Sequence, residues 1–148
     1  MIYDHFHDKD NLLNRCDERV AADYYSSILK WMLLSKDFLT FFNHVMDDHI
    51  KRQGYGAFAI NYCRVFPRFE KASDFAYFKK NVESTISSVL AYFPLAHEED
   101  AFPLWCYFTR EFTCDGQLLI EKRIEDTPKN RAMMAELILK GFAPYLQP

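Results

Sequence analysis

Glycine and proline are scarce in this chain, four and six among 148 residues. A sandwich or barrel built from many tight turns needs more of both, so the scarcity turns the reading toward helices. Basic blocks are missing too. The net charge is −3, whereas a stand-alone nucleic-acid binder needs a positive stripe to neutralise phosphates. Cys16, Cys63, Cys106 and Cys114 form no Cys-x-x-Cys pair, which fits reduced thiols and an expected cytoplasmic location rather than a disulfide framework. The start carries no charged-then-apolar leader, and no apolar run approaches the ~20 residues that span a bilayer, so no membrane partner is expected.

What the chain has in excess is aromatic rings, with fourteen Phe and nine Tyr. The length suits one domain with a substantial core. Apolar residues recur every three or four positions: Leu12, Leu13, Cys16, Val20, Tyr24, Ile28, Trp31 and Met32 predict a long helix to Leu34. Ser35 is the expected cap of a second helix with the stripe Phe38, Leu39, Phe42, Val45, Met46 and Ile50, ended by Gly54 and Gly56. A short helix over 57–66 stops at Pro67. A fourth runs from Ser73 or Asp74 to near Pro94, and a fifth from Ala101 or Phe102 to about Ile124. Thr127-Pro128 opens a last helix that Gly141 is expected to close. The fold class is therefore all-α, a bundle of about six helices.

Catalytic patterns are thin. His44 and Asp48, four apart, share a helix face as metal ligands would, but His49 turns away and exposed polar residues are the plainer reading. No Ser-His-Asp order, Gly-rich phosphate loop or Cys-His motif is present, and Asp47-Asp48 and Glu98-Glu99-Asp100 read as surface charge. Neither an enzyme nor a metal or cofactor site is expected. The best pocket candidates are Phe42, Met46, Phe58, Tyr62, Phe66, Phe78 and Trp105, with Tyr62 and Trp105 supplying a hydroxyl and an N–H. Arg64 could meet an acid group on a ligand or sit in solvent.

The first thirteen residues, MIYDHFHDKDNLL, carry a denser pattern. Ile2, Tyr3, His5, Phe6, Lys9, Asp10, Leu12 and Leu13 fill positions that resemble the end of the DNA-binding unit of TetR (AcrR) family regulators, with Asp8 in place of the usual small cap. Read from the residues alone, the same stretch is an amphipathic lead-in and a helix start with an acid near the positive end of the dipole. The resemblance implies residues 1–13 as the remnant of a helix-turn-helix domain and 14–148 as a ligand-binding and dimerisation domain. It also implies that Tyr3, His5 and Lys9 are DNA-contact remnants, with DNA a partner only if the missing N-terminal helices are restored. The run from Phe108 to Gln117 and the segment from Asp126 to Phe142 look like the family's last two helices, which pair with those of a second subunit.

Chain-end patterning points the same way. Met133, Met134, Leu137, Ile138 and Phe142 make one apolar stripe, and Phe108, Phe112, Leu119 and Ile120 another, beyond what one core needs. A homodimer through these helices is the expectation. The function expected is a ligand-responsive, TetR-like transcriptional regulator that binds a small, largely apolar molecule. The alternative is a stand-alone helical interaction or inhibitor module with no DNA or ligand role.

Overall fold

The computed structural model describes residues 9–52, 72–73, 76, 79–80 and 94–148. Four α-helices stand out among them: α1 (Lys9–Leu34), α2 (Phe38–Lys51), α3 (Ala101–Ile120) and α4 (Pro128–Phe142). Short 3-10 turns over Glu98–Asp100 and Ala143–Tyr145 flank α3 and follow α4. The described residues are predominantly helical, as the all-α reading requires. The short helix over 57–66, most of the helix before Pro94, and Gly54, Gly56, Arg64 and Pro67 lie outside the described residues.

Helix ends follow local chemistry, with three departures from expectation. Asp37, not Ser35, caps α2: its carboxylate accepts from the Thr40 N–H at 2.8 Å and the Thr40 hydroxyl at 3.0 Å. Ser35 is instead buried, and its N–H donates to the Trp31 carbonyl at 2.9 Å. Asp37 wins because it directly precedes the first helical residue and finds two donors on Thr40. α3 stops at Ile120 rather than near Ile124. Lys122 turns into the left-handed region, φ 56°, and the N–H groups of Arg123 and Ile124 fold back to the Leu118 carbonyl at 2.9 and 3.3 Å. Gly141 does not close α4, since no described glycine adopts positive φ and the helix runs on to Phe142. Thr127 caps α4 as expected, accepting from the Asn130 N–H at 3.2 Å with Pro128 in the first turn.

α2 is the central element and packs against α1, α3 and α4. Its buried face, Phe41, Phe42, Val45, Met46 and His49, meets Ile28 and Met32 of α1, Phe108, Phe112 and Leu119 of α3, and Met134, Ala135 and Ile138 of α4. Rings interlock edge to face: Phe108 on Phe112 at 4.4 Å, Phe41 on Phe112 at 5.4 Å, Phe108 on Phe142 at 5.4 Å. The described phenylalanines and tryptophans are thus spent on or against the core, whereas Tyr107 and Tyr145 are exposed. Arg131 ties α4 to α2, reaching Asp47 at 2.7 Å while its fork holds both carboxylate oxygens of Asp126 at 2.5 and 2.8 Å. The chain end is strapped back to residues 94–96 by an antiparallel bridge of Leu95 with Leu146 and by the Gln147 N–H on the Pro94 carbonyl at 2.7 Å.

Candidate functional site

α3 has two faces. The inner one carries Trp105, Phe108, Thr109, Phe112, Thr113, Gly116 and Leu119, all buried. Its hydroxyls are satisfied within the helix, Thr109 donating to the Trp105 carbonyl at 3.0 Å and Thr113 to that of Thr109 at 2.9 Å. Gly116 is there because α2 comes too close for anything larger: a Cβ at this position would lie 2.7 Å from the Cγ of His49. Loss of solvent holds the His49 imidazole down to about 4, against a small opposing pull from Asp48.

The other face, at Leu104, Tyr107, Glu111, Asp115 and Leu118, repeats at intervals of three, four, four and three, one side of a helix. It forms one wall of a groove of about 630 Å³ whose other wall is α4, with Met133, Met134, Leu137, Ile138 and Gly141. Ile124, Phe142 and Tyr145 are also at its edge. Leu137 is 62% exposed, Tyr107 60% and Met133 45%, so a large apolar ridge lies open to solvent beside the groove. Three carboxylates, Asp100, Glu111 and Asp115, line it, and among the described residues no basic side chain does. Burial, and then the Glu111 charge one turn away, push the Asp115 carboxyl up to about 6.

The sequence-level site residues divide between these surroundings. Of the pocket set, Phe42, Met46 and Trp105 are buried in the aromatic core, whereas Phe58, Tyr62, Phe66 and Phe78 lie outside the described residues. Tyr3 and His5 lie outside them as well, and Lys9 is exposed at the start of α1. The dimer set is split. Phe108, Phe112 and Leu119 face α2 and belong to the chain's own core, Met134 and Ile138 are buried at the groove, and Met133 and Leu137 are exposed. Leu104, Tyr107, Glu111, Asp115 and Leu118 escaped the sequence reading. Their signal was a second stripe on the same helix, hidden because two carboxylates interrupt it.

His44 and Asp48 join α2 to α1. Asp48 accepts from the Trp31 indole N–H at 2.7 Å and from the Ser27 hydroxyl, and the His44 ring stacks on Trp31 at 4.2 Å. Those two donors hold the Asp48 carboxyl below its ordinary value although burial opposes them. Among the described residues no group of three His, Cys, Asp or Glu side chains is placed to hold a metal, and no helix is long and apolar enough to cross a membrane. Comparison with protein-family models, with curated proteins and with solved structures found no match.

Proposed function

We propose that this chain is the self-associating, ligand-responsive part of a transcriptional regulator similar in plan to the TetR family, and that the outer α3–α4 face is where two copies meet. One observation carries the reading: Met133, Leu137 and Tyr107 stand exposed on the last two helices, beside an apolar groove, while the interior is filled without them. An isologous contact through this face buries the ridge of each copy against the groove of the other. Covering Leu137 contributes roughly 1.5–3 kcal/mol per copy.

In this proposal residues 14–148 form the ligand-binding and dimerisation domain, and a small apolar molecule held by the middle helices favours one spacing of the two subunits. The ligand acts only through its differential affinity for the two arrangements. Light scattering on the purified chain at micromolar concentration tests the reading, which expects twice the chain mass. A mass of one chain, unchanged up to ~100 µM where contacts as weak as about 5.5 kcal/mol become populated, contradicts it. A monomer with a well-formed fold would favour the other reading, a helical module whose acid-lined groove takes a different protein.

A further inference from the structure

We infer that the occupant of the α3–α4 groove is α4 of a second copy, registered by Lys129 and Lys140 of one copy against Glu111 and Asp115 of the other. This rests on the dimer proposed above and specifies how its two halves are matched. The groove offers an apolar floor with an acid wall, formed on α3 by Glu111 and Asp115. The ridge offers the complement. On α4, Lys129 lies four residues before Met133 and Lys140 three after Leu137, so both lysines bracket the apolar ridge along one side of the helix.

Both lysines are exposed. Lys140 is engaged at 2.6 Å by Glu136 one turn back, a solvent-exposed pair that contributes little and is readily exchanged. One chain therefore carries both the acid-walled groove and the base-bracketed ridge, as a two-fold contact requires of every copy. Pairing α3 with α3 instead would gather four carboxylates in a site that loses water. Asp115 lies partly buried beside Glu111, where burial and then that charge already push its carboxyl up to about 6, so further loss of water among four carboxylates is unfavourable. Crossing α3 with the partner's α4 relieves both.

Charge swaps test the arrangement, with dimer affinity read by sedimentation and folding checked by circular dichroism. Glu111→Lys with Asp115→Lys, or Lys129→Glu with Lys140→Glu, each turns attraction into repulsion on both sides of the two-fold and is expected to weaken the dimer roughly tenfold or more at low salt. Combining all four substitutions in one chain restores complementarity and should return affinity close to wild type. If Asp115→Lys harms the fold, Glu111→Lys alone, with Lys140→Glu as its rescue, asks the same question on exposed positions. Pair variants with unchanged affinity, or a four-fold variant as weak as the pairs, overturn the inference while leaving the dimer standing. A wild-type chain that stays monomeric, with Leu137→Asp indistinguishable from it, removes the dimer and this inference together.

Discussion

The inner and outer faces of α3 share one helix and nearly the same count of apolar side chains, yet their polar groups are handled in opposite ways. Inside, Thr109 and Thr113 turn their hydroxyls back onto the helix's own carbonyls, and Gly116 gives up its side chain so that His49 can pack. That face is complete within one chain. Outside, Glu111 and Asp115 sit one turn apart along an apolar wall, and Leu137 and Met133 stand exposed opposite them. That face leaves apolar surface and carboxylates side by side, which is the complement the proposed partner helix would meet. In the proposed reading one side of the helix serves stability and the other association.

Substitutions on the inner face should unfold the chain. Phe112→Ala removes a fully buried ring in contact with Phe41 and Phe108, and should cost about 3–5 kcal/mol in denaturant titration. Gly116→Ala adds a single methyl against a histidine ring, 2.7 Å from its Cγ, and should cost about 1–3 kcal/mol. A neutral outcome there means that α2 and α3 do not approach each other as closely as this packing requires. On the outer face the order reverses. Leu137→Asp should leave the stability of the single chain within about 0.5 kcal/mol, because the side chain is already exposed, while abolishing the dimer.

The two faces also respond oppositely to pH in the monomer. His49 is held at about 4 in the folded chain against 6.5 in the unfolded one, so the folded state binds fewer protons between those values. Stability is full above about 6.5 and is lost as pH falls toward 4. Asp115 is held at about 6 against 3.8, so the folded state binds more protons, and stability is lost as pH rises through that window. Asp115→Asn removes the second effect. Followed at dilutions where the chain is monomeric, this variant should melt higher than wild type at pH 7. Acidification from pH 6.5 to 4 should then lower its melting temperature more steeply than that of wild type. Parallel melting curves for the two proteins across that range would show that the outer face exerts no such effect.

Much of the helix framework was legible. Thr127-Pro128 announced α4 because a hydroxyl cap and a proline in the first turn are local signals that tertiary contacts rarely override. Gly141 misled because glycine ends a helix only where the backbone turns left-handed, and that role fell to Lys122 at the end of α3 instead. The cap of α2 was misplaced by two residues, since Ser35 and Asp37 are both competent and the choice depends on where Thr40 ends up. The site was harder to read. Periodicity shows that Phe108 and Phe112 share a face, but not whether α2 or a second chain covers it. α3 carries two apolar stripes, and only packing reveals that the stripe broken by Glu111 and Asp115 is the open one.

The division of α3 and α4 into an inner face for folding and an outer face for pairing is tested most directly by melting temperature as a function of chain concentration. The proposed dimer would stabilise the folded wild-type chain by mass action, so its melting temperature should rise steadily across a hundredfold increase in concentration. For Leu137→Asp it should stay flat at the value that wild type approaches on dilution. Flat curves for both proteins, or a wild-type rise that Leu137→Asp fully retains, would contradict the account.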